Sequence, residues 1–228
     1  MAQLQLTLQP RLQVIANLVP QGTRLADVGT DHGYLPIYLL QCGRIPHAIA
    51  TDIRPGPLER GRGTAHAYGM EEQITFRLCD GLEAVSPQEV DTVVIAGMGG
   101  ETIAAILDAV PWSREKGLLL QPMSRAEYLR PWLADHGYAV LGETLVEDKG
   151  HLYPVLQATG GEMRPLAPGQ QYYGFSQPDS PLFAGYLREW RQRLQRAVEG
   201  LRQAQVPGDR LCALEGDLAA LMEKERTI

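Results

Sequence analysis

A chain of 228 residues, 44% of them hydrophobic, with a formal net charge of -6, is long enough for one substantial α/β domain and a smaller appendage around an ordinary core. The acidic balance supplies none of the overall basic footprint that usually accompanies phosphate binding. No apolar run approaches the roughly 18 residues of a membrane span, and the N-terminal segment has no basic stretch leading into an apolar block, so neither insertion nor secretion is expected.

In chain order, Leu4, Leu8, Leu12 and Ile15 recur at helical spacing and Pro20 to Gly22 closes the segment, which predicts a leading helix. Short aliphatic runs then alternate with longer helical stretches: strand 24–29, helix 34–42, strand 47–52, helix 57–69 and strand 74–78. The alternation continues through strand 91–96, helix 100–109, strand 117–121 and helix 125–136. Such a pattern reads as a parallel sheet with helices on both faces. After Gly137 two strand-like runs, 138–146 and 152–158, follow without a helix between them, as an antiparallel hairpin at the sheet edge would require.

The stretch from Gly160 to Pro181 is rich in Gly, Pro, Gln and Ser and reads as a connector, placing a domain boundary near residue 160. Beyond it, Phe183, Tyr186, Leu187, Trp190, Leu194, Val198 and Leu201 form one apolar stripe, and Leu211, Leu214, Leu218 and Leu221 a second, with Pro207-Gly208 between them. Two antiparallel helices packed as a coiled-coil-like hairpin are predicted over 161–228. Arg188, Arg191, Arg193, Arg196 and Arg202 gather on the first of these helices, either as a local basic stripe or as the solvated face of an amphipathic helix.

The most informative segment runs from Leu25 to Tyr34, Leu-Ala-Asp-Val-Gly-Thr-Asp-His-Gly-Tyr. A strand ends, a glycine-bearing turn follows and a helix begins, which is where an open α/β sheet places its ligand. Gly29 and Gly33 suit a backbone that needs positive φ or close approach of a ligand. The dinucleotide pattern G-x-G-x-x-G is not met, because Asp31 stands where the second glycine would be, and a carboxylate there repels a pyrophosphate. S-adenosylmethionine carries a sulfonium and an amino group but no phosphate, so a loop bearing Asp27 and Asp31 suits it. The structural alternatives are Asp31 as a helix N-cap and Asp27 as a strand-end residue satisfying loop amides.

Strand two ends in Thr51-Asp52, followed by Ile53, about 20 residues past the loop, from which a carboxylate reaches both hydroxyls of a ribose. Asp80-Gly81 closes strand three, either as an acceptor for an adenine amine or as a plain turn. Strand four runs into Ala96-Gly97-Met98-Gly99-Gly100, against which a flat base can slide, with Met98 as an adaptable apolar contact; a tight ligand-free turn is the alternative. Gln121, at the end of strand five, reads equally as a base-edge contact or a helix cap. Glu147, Asp148 and Tyr153 read first as hairpin residues. Five dispersed histidines and three dispersed cysteines, Cys42, Cys79 and Cys212, show no metal-ligand spacing, so no metal is expected and the thiols read as reduced in the cytoplasm.

Taken together, Leu25 to Pro36, Asp80-Gly-Leu82, Ile95-Ala-Gly-Met-Gly-Gly100 and Leu120-Gln-Pro122 resemble the bacterial tRNA (adenine-22-N1)-methyltransferases, as do the Arg11-Leu12 helix and the Glu147-Asp148 to Tyr153 hairpin. The resemblance covers residues 8 to 158. It implies a Rossmann-like class I methyltransferase sheet of seven strands with the last antiparallel, S-adenosylmethionine as donor, tRNA as partner, and a helical C-terminal domain that helps hold it. The cofactor would then meet Asp27, Gly29, Thr30, His32, Gly33, Asp52, Ile53, Asp80, Gly81, Ala96 and Gly97. Asp31 belongs to the same cofactor loop; because adenine becomes cationic as N1 is alkylated, it is also the candidate carboxylate beside the target base, with Met98 and Gly99 at the end of strand four as base contacts and Tyr34 as a candidate stacking surface. Residues 170–181 do not follow the family pattern clearly, which leaves substrate docking the least defined part.

Overall fold

The computed structural model describes residues 6–175, 180–204 and 208–228. Its first helix, α1, spans Pro10–Leu18 and buries Ile15 and Ala16. It begins later than the apolar spacing suggests, because Pro10 occupies the first turn and holds Gln9 in extended backbone at ψ 152°. Leu8 is buried ahead of the helix, and Leu4 lies outside the described residues.

The alternation then appears as expected: β1 Leu25–Val28, α2 Tyr34–Gln41, β2 Ala48–Asp52, α3 Pro55–Ala67, β3 Ile74–Leu78, β4 Thr92–Gly99, α4 Gly100–Ala109, β5 Gly117–Ser124 and α5 Ala126–Asp135. Two 3-10 turns that periodicity does not reveal, Pro87–Glu89 and Pro111–Glu115, lead into β4 and β5. β6 Tyr138–Asp148 and β7 His151–Gly160 form the anticipated hairpin. Both residues of its Lys149-Gly150 turn have positive φ, 52° and 77°, which matches the twist of paired strands.

The seven strands are ordered β3-β2-β1-β4-β5-β7-β6. The first five are parallel, and β7 inserts between β5 and β6, antiparallel to both. Every residue of β1 and β2 is buried, as central parallel strands covered on both faces require. One core packs α1, α2 and α3 on one face and another packs α4 and α5 on the opposite face. The strand order reverses between β1 and β4, so their carboxyl ends open a crevice at the switch point.

β4 and β5 extend three residues beyond the expected strand ends, through Gly99 and Ser124. The glycine-rich run continues the strand instead of forming the tight turn that is its alternative reading. Register shifts around Met98, beside Gly97 at φ 81°, let it keep pairing as a bulged strand.

The connector contains a short helix, α6 Gln170–Tyr173, whose Gln170 is buried; residues 176–179 lie outside the described residues. α7 Phe183–Gln203 and α8 Asp209–Arg226 form the tail hairpin, with Pro207 outside the described residues. Ion pairs Arg191–Glu225 and Arg202–Glu215 cross between them, which fixes the antiparallel sense. Phe183, Tyr186, Leu187, Leu194 and Leu221 share a third core with Leu145 of β6, so the tail is seated on the sheet edge.

Candidate active site

The loop after β1 is built from three left-handed residues, Gly29 (φ 70°), Asp31 (φ 49°) and Gly33 (φ 70°). The amides of Gly29 and Thr30 both donate to the Thr51 carbonyl, at 2.8 and 3.0 Å, which ties the turn to β2. A side chain at Gly29 would collide with Met98 Cε, so the methionine of the β4 bulge lies directly over the loop. The helix that follows is capped by Gly33 without a side-chain hydrogen bond, so Asp31 is not spent as its N-cap.

A cavity of about 450 Å³ opens here, walled by Asp27, Gly29, Thr30, Asp31, His32, Ala96 and Gly97 together with Arg11 and Tyr34. Asp27 is buried and accepts the Thr30 hydroxyl at 2.6 Å. Burial pushes its carboxyl up to about 6, although the hydroxyl pulls the other way. A buried anion lacking a cationic partner is costly to keep, and an incoming cation relieves that cost.

Asp31 is 61% exposed, accepts Arg60 Nη2 at 3.0 Å and lies 3.8 Å from His32 Nε2. His32 stacks on Tyr34 with centroids 5.2 Å apart and planes within 7°. Tyr34 is exposed rather than core, which makes the pair a flat surface at the cavity rim.

Gln121 is fully buried and holds the opposite wall: its Oε1 accepts the Gly97 amide at 3.2 Å and Arg11 Nη1 at 3.3 Å. Its amide group donates to the Pro122 carbonyl. Gln121 thus fixes the β4 bulge and does not cap the helix that follows, whose N-terminus has no side-chain cap. Arg11 also meets the buried Asp148 at 3.4 Å, so the hairpin residue anchors an arginine that the sequence reading assigned no role. The available signal was one cation opening an N-terminal helix that is otherwise apolar and polar-neutral in its first turns.

The remaining candidates sit along the same sheet edge outside that cavity. Asp52 is buried at the end of β2, and its Oδ1 accepts the Arg54 amide at 2.9 Å. Ile53 beside it is 62% exposed, and Leu78 of the neighbouring strand is also bare, an apolar bed at the edge of the sheet. Asp80 and Gly81 line a separate depression of about 390 Å³ against α4. The Thr51 hydroxyl donates to the Gly81 carbonyl and links that turn to β2. Gly99 pairs with Ser124 across the bulge. No group of three or more metal-ligating side chains occurs among the described residues.

The tail arginines divide. Arg191 and Arg202 are paired to α8, and Arg193 contacts Glu189 and lies over Trp190. Arg188 and Arg196 form no ion pair among the described residues, so the stripe is a mixed surface rather than a continuous basic one.

Residues 8–156 match a family model described as a methyltransferase domain. The chain is 35% identical over 216 residues to the tRNA (adenine(22)-N(1))-methyltransferase of Bacillus subtilis (strain 168), covering 90% of this chain and 89% of that protein. Among solved structures it resembles Streptococcus pneumoniae Sp1610 in complex with S-adenosyl-L-methionine, at TM-score 0.77 and 36% identity over 91% of this chain and 98% of that one. It also resembles M. capricolum TrmK in complex with S-adenosyl-homocysteine, at TM-score 0.80 and 25% identity over 97% of this chain and 99% of that one.

Proposed function

The chain belongs to the tRNA (adenine(22)-N1)-methyltransferases, and on that premise we infer how its own residues carry the reaction. The protein is an enzyme that transfers a methyl group from S-adenosylmethionine to N1 of adenine 22 in bacterial tRNA. The observation that carries the cofactor assignment is the buried Asp27, with its carboxyl raised to about 6, facing a cavity whose wall contains, among the described residues, one arginine, Arg11. Such a pair suits a zwitterionic amino acid: a carboxylate for its ammonium and a guanidinium for its carboxylate.

S-adenosylmethionine supplies, when bound, an electrophilic methyl group on a sulfonium. Gly29, Thr30, His32, Gly33, Ala96 and Gly97 leave room for it by keeping backbone at the wall. Asp52 is suited to the ribose hydroxyls, Ile53 to one adenine face, and Asp80-Gly81 to the adenine edge. Met98 and Gly99 face the target base from the β4 bulge. Adenine N1 has its own lone pair, so no general base is required before attack, and positioning can contribute roughly 7–11 kcal/mol when alignment is ideal. Asp31 is placed to stabilise the positive charge that develops on the ring, and afterwards to accept a proton from its amino group. His32 and Tyr34 offer a surface for a base turned out of its stack.

Residues 1–160 serve as the methyl-transfer domain and 161–228 as the element that holds tRNA. No helix among the described residues is long and apolar enough to cross a membrane, and we assign the enzyme to the cytoplasm, where its tRNA substrate is, acting without a metal or an obligate protein partner. The deciding assay incubates the protein with labelled S-adenosylmethionine and unmodified tRNA, then locates the label by nuclease digestion and mass spectrometry. Label at N1 of adenine 22 is expected; label on another atom or none overturns the reading.

A further inference from the structure

Arg11 is the second residue of α1, where the positive end of the helix dipole disfavours a cation, and the first turn of that helix holds no acidic residue. Its charge is met instead by groups on two strands of the sheet. Asp148, the last residue of β6, is 6% exposed and places Oδ2 3.4 Å from Arg11 Nε. Gln121 of β5 is fully buried and accepts Arg11 Nη1 at 3.3 Å. The third guanidinium nitrogen, Nη2, has no hydrogen-bond partner among the described residues. Arg11 lines the cavity of about 450 Å³ beside the β1 loop, whereas Asp148 and Gln121 do not.

These contacts orient the guanidinium as well as balancing its charge. The Gln121 amide group donates to the Pro122 carbonyl at 3.1 Å, and its Oε1 accepts both Arg11 and the Gly97 amide. A Cβ on Gly97 would lie 3.4 Å from Arg11 Nη1, so the β4 bulge packs against the guanidinium. An arginine on a helix otherwise keeps a wide choice of rotamers, and a ligand that binds it must freeze them. Here the plane of the group is set in advance from Nε and Nη1. A planar fork held in this way matches the two oxygens of a carboxylate.

Resting on the cofactor reading above, we propose that Asp148 is a positioning residue for the methyl donor: with Gln121 it holds Arg11 in the orientation that takes the amino-acid carboxylate of S-adenosylmethionine. Asp148 acts from outside the cavity, through Arg11. Two effects of its carboxylate oppose each other. Its negative charge repels that of the ligand, whereas its hold on Nε spares the ligand the cost of ordering a long side chain. Ordering dominates, because the Asp148 charge is already met by the guanidinium, while a free Arg11 would have to be fixed on every binding event. A ligand without the amino-acid part gains nothing from this arrangement.

Calorimetric titration of the full-length protein with S-adenosylhomocysteine and with 5′-methylthioadenosine isolates the effect, since the second ligand keeps the nucleoside and the thioether but lacks the carboxylate. Asp148→Ala should weaken S-adenosylhomocysteine about ten-fold and leave 5′-methylthioadenosine as in the parent. Asp148→Asn, which still accepts from Nε but carries no charge, should restore S-adenosylhomocysteine binding to the parent level or better. Arg11→Ala should lose at least as much as Asp148→Ala, and adding Asp148→Ala to it should cost nothing further. That double variant strands no charge, so the comparison with Arg11→Ala stands even where Asp148→Ala alone does not fold. Equal weakening of both ligands by Asp148→Ala overturns the positioning role and leaves a structural tie for α1. Unaltered S-adenosylhomocysteine affinity, a further loss in the double variant, or no rescue by Asp148→Asn overturns it as well. A parent protein that binds the two ligands equally overturns the contact between Arg11 and the carboxylate, and this role with it. Absence of tRNA methylation by the parent, with the ligand preference and its loss in Asp148→Ala intact, overturns the methyltransferase reading alone.

Discussion

Arg130 of α5 and Glu143 of β6 form a two-pronged ion pair, at 2.9 and 2.8 Å, with both side chains completely buried. The guanidinium also donates to the carbonyls of Gln171 and Tyr172 and to the Tyr186 hydroxyl, so one charge joins the methyl-transfer domain to α6 and α7. Burial by itself pulls the Arg130 pKa down, but the Glu143 carboxylate and the Tyr186 hydroxyl together hold it above its usual value. Removing one partner strands a buried charge: Glu143→Gln or Arg130→Met should cost about 3–5 kcal/mol in chemical denaturation. The double variant Arg130→Met/Glu143→Leu should recover much of that loss; no recovery would show that the hydrogen bonds to the tail, rather than the stranded charge, set the cost.

That same junction makes truncation at residue 160 a poor test of the tail, since it would strip Arg130 of its carbonyl partners and uncover Leu145. Surface variants are cleaner. Arg188→Ala/Arg196→Ala should raise the KM for tRNA and lower the salt dependence of binding by about two phosphate contacts, with cofactor affinity unchanged. An unaltered salt slope would mean that these arginines are a solvated helix face and nothing more.

Asp27 predicts a pH signature. Its carboxyl stands at about 6 in the fold against 3.8 in the unfolded chain, so the fold favours the protonated form; that contribution is complete below pH 3.8 and lost as pH rises through about 6. Asp27→Asn, which cannot ionise, should therefore stabilise the cofactor-free protein at pH 8 by about 2–3 kcal/mol more than at pH 4. In the parent, S-adenosylhomocysteine affinity should fall as pH drops below about 6, because a neutral carboxyl no longer pairs with the ammonium. A stability difference that is flat with pH would place the carboxylate's cost elsewhere.

Asp31 tests charge against backbone. At φ 49° it occupies a left-handed position that Asn tolerates and Ala does not. Asp31→Asn should keep the loop and lower kcat about 100-fold with little change in S-adenosylhomocysteine affinity, whereas Asp31→Ala should add a loss of stability. Parallel losses of kcat and affinity in Asp31→Asn would make the residue a cofactor ligand only.

Gly29 and Met98 are coupled sterically. Gly29→Ala meets both a φ of 70° and the Met98 methyl, and should cost about 1–3 kcal/mol and most of the cofactor affinity. Pairing it with Met98→Ala should relieve the collision but not the backbone strain, so a partial rescue is expected in thermal melts. Complete rescue would show that the left-handed turn is not required.

Neighbouring residues carry enough information to write the alternation of strands and helices and the glycine-bearing ends of β1 and β4, because periodicity and turn chemistry act over a few positions. Asp27, Gly29, Asp31 and Gly97 were legible for that reason: each sits where a local rule is broken at a strand end. The bulged continuation of β4 was not, since pairing with β5 supplies hydrogen bonds that Gly97 and Met98 do not specify alone.

Tertiary structure decided the partners. Arg11 and Gln121 meet across 110 positions of sequence, and Asp31 and Arg60 across 29; nothing local chooses which carboxylate or amide an arginine will find. The insertion of β7 between β5 and β6 and the buried network around Arg130 arise the same way. They depend on which surfaces the completed fold brings within hydrogen-bond reach, and that reach is set by packing in three dimensions rather than by spacing along the chain.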